Sequence, residues 1–140
     1  MPSRHRAAYG KRMGLPSGLT ASITLKVCEG DTALAMESGD VPVLATPRLV
    51  ALVEKASIAA LGGQLGPDKT SVGYEVQLAH LSPTPVGSEV TAEATLEGVE
   101  GRRLTFRVSV TDARGLVAAG RVTRVVVDRD RFIERAQSEL

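Results

Sequence analysis

In this 140-residue chain only residues 45–61, ATPRLVALVEKASIAAL, form a long stretch with clear helical periodicity. Leu49, Leu52, Val53, Ala56 and Ala60 recur at intervals of three and four residues and make one apolar stripe. Thr46 followed by Pro47 marks the start. The Thr side chain can accept a hydrogen bond from a free backbone N–H, and Pro fits the first helical position because its missing N–H is not needed there. Gly62-Gly63 is the stop. Glu54 interrupts the pattern, one position after Val53 at the edge of the stripe. The rest of the chain reads as strands, so a sheet has to wrap this one helix.

Leu19, Ala21, Ile23, Leu25 and Val27 alternate with Thr20, Ser22, Thr24 and Lys26, the pattern of a half-buried strand. After a turn at Glu29-Gly30-Asp31, residues 32–36 are expected as a second short strand, and Ser38-Gly39-Asp40 with Pro42 as a loop into the helix. Beyond the helix, Val72, Tyr74, Val76, Leu78 and His80 share one parity, so His80 is expected on an apolar strand face. Ser82-Pro83-Thr84-Pro85 ends that strand, because Pro cannot donate to a ladder. Val90, Ala92, Ala94 and Leu96 form the next strand face, and Leu104, Phe106, Val108 and Val110 the one after it. Asp112-Ala113-Arg114-Gly115 suits a hairpin connection. Residues 116–127 are apolar on both parities, which predicts a strand covered on both sides. Asp128 is placed to cap a short final helix carrying Phe132, Ile133 and Ala136. The expected fold class is therefore α+β, an antiparallel sheet around one long helix. Such a layer leaves an edge strand and a sheet face open, and dimerisation is a natural way to bury them.

Composition narrows the function. A length of 140 residues suits a single domain with a real core, expected over residues 19–140. Residues 1–18, with His5, three Arg, one Lys and three Gly, read as a flexible arm. A net charge of +1 argues against nucleic acid as the main partner, since a phosphate backbone calls for a basic excess. No apolar run approaches the length of a membrane span, and the basic N-terminus lacks the apolar core of a signal peptide. The single cysteine, Cys28, cannot form an internal disulfide, which points to a reducing, cytoplasmic setting. One Cys and two His make a dedicated zinc site unexpected. No basic or histidine neighbour in sequence would activate Cys28, so its expected role is packing. The core must come from Val, Leu, Ile and Ala, because the only aromatics are Tyr9, Tyr74, Phe106 and Phe132.

Three polar side chains are candidates for chemistry: Thr46, Glu54 and His80. Each has a plain alternative, as a helix N-cap, a solvated helix edge and a strand-end histidine without a task, respectively. Thr46 and Glu54 lie eight residues apart, a rise of about 12 Å along the helix. A strand crossing the helix would bring His80 between them. A carboxylate, an imidazole and a hydroxyl at a helix N-terminus suit acyl transfer: one group acts as base and free N–H groups stabilise the oxyanion.

The pattern ATPRLVALVEKA, with His80 following 26 residues after Glu54 in VGYEVQLAHLSPTPVG, resembles the hotdog-fold thioesterases, most closely the fluoroacetyl-CoA thioesterase-like group. The later stretch VEGRRLTFRVSV is similar to that group as well, so the resemblance runs from about Leu19 to Phe132. It implies a five-stranded antiparallel hotdog sheet around a long helix, and a homodimer, or a dimer of dimers, with sites at the subunit interface. It implies Thr46, Glu54 and His80 as the catalytic triad, Gly73 beside the thioester and Arg124 close to the substrate. No cofactor is implied other than the coenzyme A of the substrate. The fluoroacetyl-specific group carries a bulky aromatic gate just before the helix. Here that loop reads Gly39-Asp40-Val41-Pro42-Val43-Leu44, without an aromatic.

Hydrolysis of a short-chain acyl-CoA is the leading expectation. Glu54 acts as base on water or attacks directly, Thr46 being the other candidate nucleophile, and His80 orients Glu54 or Thr46 and manages the leaving thiolate's proton. Arg102, Arg103, Arg121 and Arg124 are available for CoA phosphates, a solvated strand face being the plain reading of the first three. The alternative is a non-catalytic acyl-CoA-binding or sensing module, which has no need of a Glu and a His facing one pocket. A hotdog hydratase is disfavoured because residues 45–61 contain no His.

Overall fold

The computed structural model describes residues 14–16 and 18–138. Most of the N-terminal arm, residues 1–13 and Ser17, lies outside the described residues; Leu15, inside it, is buried in the core. The chain runs β1 (Thr20–Lys26), α1 (Thr46–Leu61), β2 (Lys69–His80), β3 (Glu89–Glu100), β4 (Arg103–Asp112), β5 (Gly115–Asp128) and α2 (Arg129–Gln137). The five strands form one sheet in the order β1-β3-β4-β5-β2, with every neighbouring pair antiparallel. The α+β architecture expected from the sequence is thus present. β1 and β2 are its edges.

α1 lies across the concave face. Leu49, Leu52, Val53, Ala56, Ala60 and Leu61 are buried on it, the stripe read from the sequence. Ser57 is buried among them at no cost in unpaired polarity, since its hydroxyl donates to the Val53 carbonyl one turn back at 2.8 Å. Opposite them the strands present Val90, Ala92 and Ala94, then Leu104, Phe106, Val108 and Val110, all buried. The alanines of β3 let the helix backbone come close, while Phe106 fills the middle of the sheet. Gly62 takes φ 54° and closes the helix, its N–H donating to Ala59 and Ile58 carbonyls. α2 is capped by Asp128, whose carboxylate accepts from the Arg131 N–H at 3.3 Å, and it buries no residue.

Three features depart from the expected pattern, and the first concerns the site. β2 carries a bulge between Gly73 and Glu75. One extra residue reverses the alternation, so Tyr74 does not continue the face of Val76, Leu78 and His80. It stands out at 59% exposure with the Arg103 guanidinium 4.6 Å above its ring, while Gly73 turns toward the helix. Second, residues 32–36 are a turn rather than a strand. Isolated bridges, Thr32 to Leu44 and Val43 to Pro85, stand where a strand was expected. Third, β5 is not covered on both sides. Ala118, Val122, Arg124 and Val126 are buried toward α1, but Val125 and Val127 on the outer face are half-buried, with no second layer among the described residues. Cys28 is also exposed, at the turn after β1, rather than packed.

Candidate active site

β2 runs antiparallel to α1, so the end of the strand meets the start of the helix and the middle of the strand meets its second and third turns. This is what gathers residues far apart in sequence. At the first meeting point Thr46 Oγ1 and His80 Nδ1 share a hydrogen bond of 2.8 Å. The hydroxyl is therefore not a helix cap. Ala45 holds the cap position without a side-chain bond, and Thr46 is the first helical residue. The other ring nitrogen of His80, Nε2, is buried and has no hydrogen-bond partner among the described residues.

The backbone at this helix start is more selective than a generic N-terminus with several free N–H groups. Pro47 has no N–H, and those of Arg48 and Leu49 both donate to the Ala45 carbonyl at 3.1 Å. The Thr46 N–H has no hydrogen-bond partner among the described residues. The segment leading to it is held by a bond from the Ala45 N–H to the Asp31 carbonyl and by the Arg48–Asp31 ion pair at 2.9 Å.

At the second meeting point Glu54 Oε2 accepts from Arg124 Nη1 at 3.0 Å. Arg124 is only 5% exposed, and its remaining donors go to Ser71: Nε to the hydroxyl at 2.8 Å and Nη2 to the carbonyl at 3.0 Å. All three groups of the guanidinium are thus engaged, and it positions the Glu54 carboxylate. Gly73, directly paired with Arg124 across the β2–β5 ladder, completes the arrangement. A Cβ there would stand 2.5 Å from Glu54 Oε2, so only glycine leaves the carboxylate its place.

Thus five residues singled out from the sequence assemble along one side of α1, but in two pairs. His80 engages Thr46 and not Glu54; Glu54 is held by Arg124. Ser71, which sequence reading passed over, anchors the guanidinium. Its only signal was the bulge two residues later, and bulges are not visible in alternation alone. Of the other arginines, Arg121 is engaged by Glu97 at 3.2 and 3.3 Å, while Arg102 and Arg103 are exposed at the β3–β4 turn. The loop before α1 exposes Leu34, Met36 and Val41 and holds no aromatic. No helix among the described residues is long and apolar enough to cross a membrane.

Comparison with known proteins bears on the family and the fold. Residues 27–130 match the family model of the fluoroacetyl-CoA-specific thioesterase. Over 90 residues the chain is 38% identical to the fluoroacetyl-CoA thioesterase of Streptantibioticus cattleyicolor; the match spans 64% of this chain and 65% of that enzyme. A solved structure of the fluoroacetyl-CoA thioesterase superposes with a TM-score of 0.84 at 28% identity, over 91% of this chain and 98% of the other. A hot-dog-like protein from Thermanaerovibrio acidaminovorans superposes with a TM-score of 0.82 at 25% identity, over 92% and 94%. With the sheet wrapped around α1 and the family pattern covering most of its length, this hotdog-fold chain belongs to the fluoroacetyl-CoA-specific thioesterase family.

Proposed function

We propose that the protein hydrolyses a short-chain acyl-CoA thioester to the free acid and CoA, with Thr46, Glu54 and His80 as the reacting groups. The observation that carries this reading is the hydroxyl–imidazole bond of 2.8 Å at the start of the central helix, with a held carboxylate two turns further on. The helical rise between Thr46 and Glu54 is about 12 Å. Shortened by the reach of the Glu54 side chain, it leaves a gap that a thioester carbonyl and one water fill. The carbonyl oxygen lies toward the Thr46 hydroxyl and N–H, which stabilise the oxyanion. Water adds to the carbonyl carbon and gives a proton to Glu54, the base held in place by Arg124 and Gly73. The C–S bond then breaks, the departing sulfur takes a proton from the Thr46–His80 pair, and the proton held by Glu54 passes back to that pair through solvent, which restores both groups. The sum is one water consumed, one acid and one thiol released.

The family membership supports the reaction class; complexes of the fluoroacetyl-CoA-specific thioesterase with fluoroacetate and CoA are known. A homodimer, or a dimer of dimers, is part of the proposal, because β1 and β2 are edge strands of the sheet without a further strand beside them among the described residues. A folded, active monomer in light scattering would remove that part.

The test is a thiol-release assay over acyl-CoA chain lengths, with Glu54→Gln and His80→Ala beside the unaltered protein. Each substitution is expected to lower turnover by about a hundredfold or more, the range of a general acid–base group. The double variant is expected to lose far less than the product, since groups acting as one unit are not additive. Near-normal hydrolysis by both folded single variants would overturn these assignments. Acyl-CoA binding without any hydrolysis would favour a binding module instead.

A further inference from the structure

The central helix begins without a side-chain cap of its own. Ala45, at the cap position, has no polar side chain to offer, and Pro47 has no N–H. The Thr46 hydroxyl is bonded to His80 instead. Outside the helix's own ladder, the residues flanking Thr46 are held by Asp31. Its carbonyl accepts from the Ala45 N–H at 2.9 Å, and its carboxylate Oδ1 accepts from Arg48 Nε at 2.9 Å. Asp31 therefore grips the chain on both sides of Thr46, one residue before it and two after it. A carboxylate also suits the positive end of the helix dipole.

Asp31 is itself fixed. It closes a 3-10 turn, Glu29–Asp31, just after β1. Its second carboxylate oxygen, Oδ2, accepts from the Cys28 N–H at 2.8 Å, and its own N–H donates to the Cys28 carbonyl at 3.0 Å. Val27, before the turn, is buried; its N–H donates to the Ser88 carbonyl and its carbonyl accepts from the Gly87 N–H. Thr32, after the turn, is buried and donates its hydroxyl to the Glu29 carbonyl at 2.8 Å. A run of bonds thus leads from the buried residue that follows β1, through Asp31, to the residues that bracket Thr46. The Asp31 and Arg48 side chains are 16% and 28% exposed, so this is not the fully solvated kind of pair that contributes little. Both carboxylate oxygens receive N–H donors. An asparagine in the same place has one accepting oxygen and would turn its NH2 toward a donor.

We infer that Asp31 is the positioning residue of the Thr46 hydroxyl: it fixes the first turn of α1 so that Thr46 Oγ1 stands 2.8 Å from His80 Nδ1. That distance is set by two different elements. The end of β2 is held by its ladder with β5, where His80 pairs with Ala118. The start of α1 belongs to no ladder, and Asp31 supplies the tie. Asp31 thus does for Thr46 what Arg124 does for Glu54: a charged group from outside the helix holds each of its two polar site residues in place. The effect on rate rests on the proposed hydrolysis; the effect on the Thr46–His80 bond does not, and is read without any substrate.

The test compares Asp31→Asn with Thr46→Ala, with the double variant and with the unaltered full-length protein. The first measurement is the imidazole nitrogen NMR spectrum of His80, assigned against His80→Ala; the chain has only two histidines, His5 and His80. In Asp31→Asn the Nδ1 resonance is expected to move toward its position in Thr46→Ala, where the hydroxyl is gone. The second is thiol release from acetyl-CoA. Here kcat is expected to fall about tenfold or more with KM within about twofold, a part of the roughly hundredfold loss that follows a displacement of about 1 Å. In the Thr46→Ala background the same change is expected to lower kcat by less than about twofold, because the group it positions is absent. Arg48→Gln, which removes the ion pair and leaves the Asp31 carbonyl in place, is expected to shift resonance and rate the same way by less, and Arg48→Lys to restore part of both. This pair carries the test if Asp31→Asn does not fold. An unmoved Nδ1 resonance in the folded variants, or kcat within about twofold of an active unaltered protein, would overturn the inference. So would a tenfold loss that persists in the Thr46→Ala background, which marks a general structural role. If the unaltered protein hydrolyses no thioester but the resonance moves as described, the positioning stands and only the hydrolytic reading falls.

Discussion

Gly73→Ala tests the site through its geometry rather than by deleting a reacting group. The added Cβ would lie 2.5 Å from Glu54 Oε2, 3.6 Å from its Cδ and 3.7 Å from Arg124 Nη1. Ordinary contact begins near 3.4 Å, so the carboxylate has to retreat by up to about 1 Å. The retreat breaks or strains the 3.0 Å bond to Arg124. A hydrogen bond to a charged group contributes about 1.5–3 kcal/mol. The lower end applies, because the Glu54 side chain is 32% exposed and Arg124 keeps both bonds to Ser71. Against it, alanine at an unstrained position recovers about 0.4–1 kcal/mol by restricting the unfolded chain, and Gly73 is not among the residues with positive φ. The net cost in stability is therefore about 1 kcal/mol. The cost in rate is larger, since misplacing a reacting group by about 1 Å lowers turnover by about a hundredfold. Urea unfolding gives the first quantity and thiol release the second. In a Glu54→Gln background, Gly73→Ala should add little further loss of rate, because the two changes act on the same carboxylate. Activity within a few fold of normal in Gly73→Ala, or a full hundredfold loss in the Glu54→Gln background, would refute the argument.

Three other outcomes are expected. Thr46→Ala should leave the helix with its cap unchanged, cost about 1 kcal/mol through the unpartnered imidazole of His80, and lower hydrolysis far more than stability; Thr46→Ser should restore most of the rate, and if it does not, the hydroxyl is not the operative group. Fluoroacetyl-CoA and acetyl-CoA should differ in kcat/KM by no more than about tenfold, as expected for near-isosteric acyl groups in a pocket without an aromatic gate; a ratio in the thousands would locate selectivity elsewhere. Asp112, in the β4–β5 hairpin, is held below its ordinary value of 3.8, first by the Arg114 N–H; burial opposes this, and the Arg114 charge adds to the lowering. A lowered carboxylate stabilises the fold above its unfolded pKa and loses that contribution as pH falls through the folded value. The stability gap between the unaltered protein and Asp112→Asn, measured by urea unfolding, should accordingly close as the solution is taken below pH 3.8.

What the sequence by itself determined was everything governed by near neighbours. Leu49, Leu52, Val53, Ala56 and Ala60 specify the buried helix face because their spacing matches the helical repeat. Gly62 ends that helix, Asp128 caps the last one, and Asp112 turns the hairpin, each through bonds only a few residues long. The candidate site residues could be named, chiefly through the resemblance, but not paired. Thr46 and His80 are 34 residues apart and Glu54 and Arg124 are 70 apart, and their partners follow from how β2 and β5 lie against α1. Alternation failed where a strand carries an extra residue. The bulge after Gly73 moved Tyr74 out of the expected face and brought Gly73 and Ser71 into the site. A bulge is a property of two paired strands, and one strand's sequence does not contain it. The same holds for Thr46, whose hydroxyl suits a cap locally but is engaged by an imidazole that only the fold brings within 2.8 Å. Local chemistry thus decides which elements form, and the antiparallel crossing of β2 over α1 decides which of their side chains can react together.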